Sequence, residues 1–427
     1  MSKTIFTNAS LLDGENPAAP GMTVVVDGNT IAEVASSTEF PATVSPSGDD
    51  VVIDLAGMTL MPGMFGGHMH IDASPTEPYN YMNIYSRSER PPGVLMARAI
   101  KNCQTLLASG ITSYVGAGCG ADIDAQLRIA IADELLDGPR ITASGRHLNT
   151  TGHDQDMAKW WYDMNYHPFD LFVDGPDEFR KAVRNEINRG VDIIKLAPTS
   201  GHGGAGRGRG LNHEELLAVV NAAHDRGKKV RAHCVWRDMI VECVEAGVDV
   251  IDHGDQTDER CIDLMAEHGT TWVPSMKFLT VLKAIPPNMH ILPRGDVERD
   301  WDNYCAMLPL ANKAGVNIVP GDDYGVGAMP HRPGIYGEEL SIYANDVGVD
   351  ALDVLTWATR NGARLSGEPV GLIATGRLAD LIVVDGDPSA DIKLLENADN
   401  IKAVMVDGRL VRGAELTASD RIASPVS

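Results

Sequence analysis

Two patterns of hydrophobic and polar residues divide this chain. Near its start, short β-type runs such as 4–7 and 23–26 are separated by turn residues such as Gly28. The same style returns near the end, at 379–386 and 402–409. Neither end is apolar enough for a core of its own. The pattern therefore predicts one small β-sandwich domain built from residues 1–60 and 366–427.

Between the two ends, strand-like runs alternate with amphipathic helical stretches. The helical stretches include 94–108, 122–136, 176–189, 212–226 and 351–365, and several are preceded by Asp or Asn and followed by Gly, as is typical of helix starts and ends. The predicted strands are 61–71, 112–116, 140–144, 192–197, 230–233, 249–253, 271–274 and 316–321.

Eight strands that alternate with helices over residues 61–365 predict the fold class α/β, as a (β/α)8 TIM barrel that forms the central domain of the chain. A doubly wound open sheet is the alternative. No Gly-rich dinucleotide fingerprint follows the first strand, so the sequence favours the barrel.

Composition and charge narrow the class of protein. The chain has 427 residues, of which 44% are hydrophobic and 22% charged, as expected of a globular protein. Its 36 basic and 59 acidic residues leave a net charge of −23, which argues against nucleic acid or an anionic membrane as a partner. No window has the apolar length of a membrane span or of a leader, so we expect a soluble, cytoplasmic protein. Its six cysteines show no CxxC pairing, and this indicates neither a disulfide framework nor a zinc knuckle.

The pair His68 and His70 lies at the end of the first barrel strand. Alternate residues of a strand point to the same face, so the two imidazoles can reach one metal ion. Taken alone, such a pair also fits surface histidines or a hydrogen-bonded pair. Further candidate ligands lie at or near the ends of later strands, where barrel enzymes carry their active sites: Lys195, His233, His253 and Asp323.

The short sequence motifs around these residues together resemble the amidohydrolase superfamily of metal-dependent hydrolases. The resemblance covers nearly the whole chain, and residues 172–184 and 378–388 are similar to the branch that holds imidazolonepropionase, Xaa-Pro dipeptidases and ochratoxin-degrading amidohydrolases. The motifs are Gly67-His68-Met69-His70, Asp192-Ile193-Ile194-Lys195, Arg231-Ala232-His233, Asp252-His253-Gly254 and Gly321-Asp322-Asp323.

The resemblance implies a centre with two divalent metal ions. His68, His70 and Asp323 would hold one ion and His233 and His253 the other. Lys195, as a carbamate, would bridge them; its alternative role is that of a strand-end lysine in a salt bridge. We expect Zn²⁺, although Mn²⁺, Co²⁺ and Fe²⁺ suit the same ligands.

The family resemblance also implies a mechanism. A metal-activated hydroxide would attack the carbonyl, and Asp323 would act as general base and then as general acid; a purely structural carboxylate is its alternative. Asp322 stands where relatives usually have Thr. The expected reaction is hydrolysis of a C–N bond, the amide of an N-acyl or aminoacyl amino acid. An aryl urea, carbamate or cyclic-amide hydrolase is the alternative, and a non-catalytic assembly protein is a remote one.

Substrate contacts are expected from loops that follow the barrel strands. We expect a small-molecule substrate and a homo-oligomer. A Gly/Arg-rich stretch at 201–210 is either a lid that meets a substrate carboxylate or a solvated loop, and the aromatic patch at 160–166 is either a pocket wall or loop packing. The candidates for substrate binding are His147, His153, His202, Arg207, Trp161 and Tyr324.

Overall fold

The computed structural model describes residues 2–38, 50–73, 90–153, 156, 161, 169–201, 208–284, 294–325 and 329–413. The chain begins with strands of a mixed sheet. They are β1 (Lys3–Leu11), β2 (Ala19–Asp27), β3 (Thr30–Ser36), β4 (Val51–Asp54) and β5 (Thr59–Pro62).

The next strands are parallel and form the TIM-barrel-like part of the fold. β6, β7 and β8 pair in that order, and β9 joins β10 on one side and the series β11 to β15 on the other. The bounds are β6 (Met64–Met69), β7 (Ile111–Gly116), β8 (Arg140–Thr142), β9 (His147–Asn149), β10 (Asp170–Phe172), β11 (Ile193–Leu196), β12 (Lys229–Cys234), β13 (Val250–His253), β14 (Thr271–Val273) and β15 (Asn317–Ile318).

Two sets of backbone hydrogen bonds close these strands into a ring. The Asp192 amide donates to the Ala143 carbonyl at 2.7 Å, which joins the ends of β8 and β11. The Gly67 amide donates to the Pro320 carbonyl at 2.7 Å, and Met69 pairs with Tyr324 in a parallel bridge. We number the barrel strands 1 to 8 in chain order: β6, β7, β8, β11, β12, β13, β14 and β15. Strand 1 of the barrel therefore lies beside strand 8.

The inside of the ring is packed rather than open. Side chains from strands 2, 4, 6 and 8 meet in one apolar cluster, as in the layers of a TIM barrel, where alternate strands supply each layer. These residues are Val115, Ile193, Val250 and Val319, with Val273 and Leu365 beside them.

Helices follow most of the barrel strands and cover the ring. Helix α4 starts with a capping box, in which Asn212 and Glu215 satisfy each other's backbone amides. The helices are α1 (Pro92–Ala108), α2 (Ile123–Ala132), α3 (Gly175–Asn188), α4 (His213–His224), α5 (Arg237–Glu245), α6 (Glu259–His268), α7 (Met276–Ala284), α8 (Arg294–Ala314), α9 (Ile335–Ser341), α10 (Ala351–Thr356) and α11 (Gly362–Ser366). Among the described residues, no helix is both long and apolar enough to cross a membrane.

The chain then returns to the first sheet. β16 (Leu381–Val384) pairs with β5, and β17 (Ile401–Val406) and β18 (Arg409–Arg412) follow at the edge. Both ends of the chain thus build one eight-stranded sheet, with the order β18-β17-β16-β5-β1-β2-β3 and with β4 beside β1. These strands form a single hydrogen-bonded sheet. The predicted sandwich of two packed sheets is therefore not confirmed and remains a prediction.

The apolar run predicted as one strand at 61–71 is two strands. β5 pairs with β1 and β16 in the first sheet, whereas β6 pairs with β7 in the barrel. Gly63 separates them, and a side chain there would lie 2.0 Å from Thr112 Oγ1. Since both strands are fully buried, the run shows no polar break that would reveal the boundary.

Candidate metal centre

Strands 1 and 8 approach each other closely at the carboxyl end of the ring. A Cβ atom on Gly321 would lie 2.3 Å from the backbone nitrogen of His68, so only glycine fits there without a shift of the backbone. This approach brings Asp323, just after strand 8, next to His68 and His70 of strand 1.

Three ligand atoms converge at this point. The Nε2 atoms of His68 and His70 are 3.2 Å apart, and Asp323 Oδ1 lies 2.9 Å from the first and 3.3 Å from the second. Ligands about 2.0–2.1 Å from a zinc ion lie roughly 3.3 Å apart along a tetrahedral edge. His68 and His70 are buried and Asp323 is half-buried, and the spacing and donor types of the three residues fit one divalent cation.

The ring of His70 is oriented for metal binding. Its Nδ1 lies 2.9 Å from the carbonyl oxygen of Gly118, which can only accept, so Nδ1 carries the proton and donates it. Nε2 then presents its lone pair to His68 and Asp323. Hydrogen bonding of the distal nitrogen is the usual way in which proteins fix a histidine ligand.

Lys195 lies beside this cluster, inside the ring. Its Nζ donates to Asp252 Oδ2 at 2.5 Å, and both side chains are fully buried. Burial lowers the pKa of Lys195, against the opposing effect of the Asp252 charge. Burial alone would raise the pKa of Asp252, but Arg231 and Lys195 hold it well below its ordinary value.

His233 and His253 form a second pair of rings next to the first cluster. Their centroids are 4.5 Å apart, and the ring of His253 is 5.1 Å from that of His68. His233 Nε2 lies 3.1 Å from the Gly201 carbonyl, and His253 Nδ1 lies 2.7 Å from Ser275 Oγ. The four histidines predicted as ligands are therefore neighbours in space.

The two adjacent aspartates point in different directions. Asp323 faces the histidines, whereas Asp322 is fully buried and accepts the backbone amides of Phe278 at 2.7 Å and Asp323 at 2.8 Å. Burial raises the pKa of Asp322 well above its ordinary value, and the neighbouring Glu339 charge adds to the shift. Asp322 thus supports the loop that presents Asp323.

The residues predicted to contact substrate have varied positions. His147 is buried, with Nε2 2.6 Å from the Ala117 carbonyl, and His153 is buried with Nε2 3.4 Å from the Thr199 carbonyl. Trp161 is 69% exposed. Tyr324 is instead fully buried and donates to Glu339 Oε2 at 2.6 Å, so its hydroxyl is used inside the protein rather than offered to a ligand. His202 and Arg207 lie outside the described residues.

Sequence reasoning missed several residues that support the centre. Arg231 and Asp252 stand inside the recognised motifs, and a charged residue within a buried strand is the signal that could have found them. His331 is a further example: its Nε2 donates to the His70 carbonyl at 3.2 Å and its Nδ1 lies 2.8 Å from the Tyr336 hydroxyl. No local pattern distinguishes His331 or Glu339 from ordinary loop and helix residues.

The fold and this cluster define a class: a TIM-barrel-like protein with candidate metal ligands at the carboxyl ends of its strands. The family model described as Amidohydrolase family matches residues 59–411, and the chain belongs to that family. Proteins of this family are generally metal-dependent, in agreement with the cluster of two histidines and one aspartate.

Individual relatives agree with this assignment. Ochratoxinase of Aspergillus niger is 27% identical over an alignment of 444 positions, gaps included, which covers 96% of this chain and 87% of that protein. A solved Xaa-Pro dipeptidase with methionine bound in its active site has a TM-score of 0.80 and 29% identity, over 96% of this chain and 100% of that one. The A. niger ochratoxinase structure has a TM-score of 0.83, with 24% identity over 96% of each chain, and shows the likeness of the fold. The protein is a hydrolase acting on C–N bonds, in the branch that contains these relatives.

Proposed function

We propose that the protein hydrolyses the amide bond of an N-acyl or aminoacyl amino acid, with divalent metal held at the carboxyl ends of the barrel strands. The observation that carries the proposal is the convergence of His68, His70 and Asp323, whose ligand atoms all lie within 4.8 Å of one another. The name of one relative, an Xaa-Pro dipeptidase, supports an amide that joins a carboxyl group to an amino acid.

The ligands fall into two groups under this proposal. His68, His70 and Asp323 hold one cation, and His233 and His253 hold a second, with zinc as the proposed metal because imidazole and carboxylate suit it. A bound divalent cation supplies Lewis acidity, which activates water and polarises the scissile carbonyl. Among the residues of the cluster, Asp323 has the more exposed side chain, at 14% against 1% for His68. Asp323 can therefore exchange a proton with water and pass it to the leaving amine.

We also propose that Lys195 becomes a carbamate that bridges the two cations. Reaction with carbon dioxide requires a neutral amine, and the burial that lowers the pKa of Lys195 favours that form. A carbamate offers two oxygens, whereas an ammonium offers none. Protein supplied with ¹³C-bicarbonate should show a carbamate carbon signal by NMR that is absent from Lys195→Ala, and its absence from the wild type would contradict this part of the proposal.

Trp161 favours a second candidate function. Its large ring is 69% exposed in the loop region after strand 3, which suits an aryl group of a urea, carbamate or cyclic amide. A panel of N-acyl amino acids, dipeptides, aryl ureas and aryl carbamates distinguishes the two candidates by turnover.

The metal centre is tested by replacing both strand 1 histidines. The His68→Ala/His70→Ala variant should stay folded but lose bound metal and activity, because the site lies at the functional end of the barrel. The matched control is His213→Ala/His224→Ala, which removes two partly exposed histidines of helix α4. Elemental analysis and the substrate panel should separate the two variants, and full turnover by the metal-free strand 1 variant would overturn the proposal.

A further inference from the structure

Two buried charged residues lie directly behind the metal-ligand cluster. Arg231 of strand 5 and Asp252 of strand 6 are both fully buried, and they form a two-point ion pair. The remaining donors of Arg231 reach the Gly116 carbonyl at 2.6 Å and the Gly67 carbonyl at 3.0 Å. One guanidinium therefore ties together strands 1, 2, 5 and 6 just below the site.

Asp252 connects this pair to the ligands. Its Oδ1 lies 3.3 Å from Nδ1 of His68, and its Oδ2 accepts from Lys195. Within the described part of the chain, Nδ1 of His68 makes no aligned hydrogen bond, and the polar atom that lies near it is Asp252 Oδ1. Asp252 is therefore the acceptor that faces the distal nitrogen of His68.

A histidine binds a metal ion through Nε2 only when the ring proton is on Nδ1. A carboxylate at Nδ1 can only accept, so it selects that tautomer and also strengthens the ring as a ligand. His70 has a neutral carbonyl in the same position, that of Gly118. The two strand 1 ligands thus differ in the charge of the group behind them.

We propose that Asp252, itself held in place by Arg231, is a positioning residue that sets the tautomer and ring orientation of His68 for metal binding. The inference rests on the proposed metal centre. Asp252 does not touch the substrate in this role, and it acts on the reaction only through His68.

The chemistry of Asp252→Asn makes this testable. Both carboxylate oxygens face Arg231, Oδ1 through Nη2 and Oδ2 through Nε. An amide group in either orientation therefore brings its NH2 against a donor, and it can no longer act as a charged acceptor for His68. Loss of such a carboxylate behind a histidine ligand typically weakens metal binding about 10- to 100-fold.

The matched control is Asp380→Asn. Asp380 is also buried and also receives two hydrogen bonds from one arginine, Arg140, at 2.7 and 3.1 Å, but it belongs to the junction with the first sheet. Zinc affinity, measured by competition with a chelator, should fall about 10- to 100-fold in Asp252→Asn and stay near the wild-type value in Asp380→Asn. The absorption bands of bound Co²⁺ should shift in Asp252→Asn only, because they report ligand geometry rather than stability.

Each outcome of this experiment has a clear meaning. Wild-type protein that binds no divalent cation would contradict the proposed function itself. A folded Asp252→Asn protein with wild-type zinc affinity and an unchanged Co²⁺ spectrum would overturn only the role of Asp252. If Asp252→Asn does not fold, Arg231→Lys decides: it keeps the charge but cannot make the two-point contact, so unchanged zinc affinity in that variant would overturn the proposal.

Discussion

Hydrogen bonds from neighbouring side chains and backbone groups fix the positions of single residues around the ligand cluster. His253 is a clear case, because its φ of 65° lies in the left-handed region that non-glycine residues rarely adopt. Such a conformation costs about 1–2 kcal/mol. Trp272 donates to the His253 carbonyl at 2.6 Å, and Ser275 lies 2.7 Å from its ring. These contacts keep the ring beside His233, so local strain is retained where the proposed metal site requires this position of the ring.

The two neighbouring aspartates should respond differently to substitution. Asp323→Asn keeps the shape of the side chain but removes its ability to accept a proton, so turnover should fall by roughly two to four orders of magnitude. Asp322→Thr should affect activity far less and stability more, because Asp322 accepts two backbone amides inside the protein. Turnover, bound metal and thermal midpoint of both variants check this. A nearly normal Asp323→Asn enzyme beside an inactive Asp322→Thr enzyme would reverse the assignment.

Asp124 should make stability depend on pH. Burial raises its pKa from 3.8 to about 6, although backbone amides of Ser144, Gly145 and Ala125 partly oppose the shift. Since the folded state holds this proton more tightly than the unfolded chain, the contribution of Asp124 is lost as pH rises through about 6. Between about pH 5 and about pH 7 the loss should be about 1 kcal/mol.

The comparison with Asp124→Asn isolates this contribution, because the amide does not titrate. The free energy of unfolding of the wild type, measured in urea at both pH values, should fall more with rising pH than that of the variant. Parallel pH dependence in the two proteins would show that Asp124 keeps an ordinary pKa in the folded state.

At the scale of elements, helix α9 holds the loop that follows strand 8. Glu339 of this helix accepts the Gly321 amide at 2.8 Å, the Tyr324 hydroxyl at 2.6 Å and the Tyr343 hydroxyl at 2.9 Å. Burial raises the pKa of Glu339 to about 7, while these donors oppose the shift. The helix thus fixes the backbone on both sides of Asp323.

Glu339→Gln should therefore weaken the metal site from a distance. An amide NH2 would face at least one of the three donors, and a buried group left without its partner costs about 1–3 kcal/mol. Glu338→Gln is the control. Glu338 is the residue before Glu339 in the same helix, but it pairs with Lys277 and Arg332 in a half-buried ion pair. Thermal midpoints and metal content should fall in Glu339→Gln and change little in Glu338→Gln. Equal effects in the two variants would contradict the role given to Glu339.

The positions of most strands and candidate ligands could be predicted from the sequence, whereas the side chains that contact those ligands from other elements could not. The closeness of His68 and His70 and the strand-end positions of the other candidate ligands follow from the pattern of the strands, which is a local property, while their role as metal ligands stays a prediction. The short strands β9 and β10 were missed because three residues show no period. Glu339 and His331 could not be found from sequence, since their roles depend on contacts that only the closed barrel creates.

At the scale of the whole molecule, the barrel and the first sheet share a junction. β5 of the sheet runs directly into β6 of the barrel, and the Gly63 amide between them donates to the Asp380 carbonyl at 2.9 Å. Arg140, at the start of strand 3, binds Asp380 and also Asp407 at 2.7 Å. These contacts lie at the end of the barrel strands opposite to the proposed metal ligands, where residues serve stability rather than chemistry.

Replacing Arg140 should consequently separate stability from function. Arg140→Ala leaves the buried Asp380 carboxylate without its cation, and breaking a buried pair on one side costs about 3 kcal/mol or more. Arg409→Ala is the control, because Arg409 forms a surface pair with Asp137 at 3.4 Å that contributes little. The thermal midpoint should fall clearly in Arg140→Ala alone, while metal content and turnover per folded molecule stay at the wild-type level in both. A loss of metal from folded Arg140→Ala would mean that the junction, and not only the strand ends, determines the geometry of the centre.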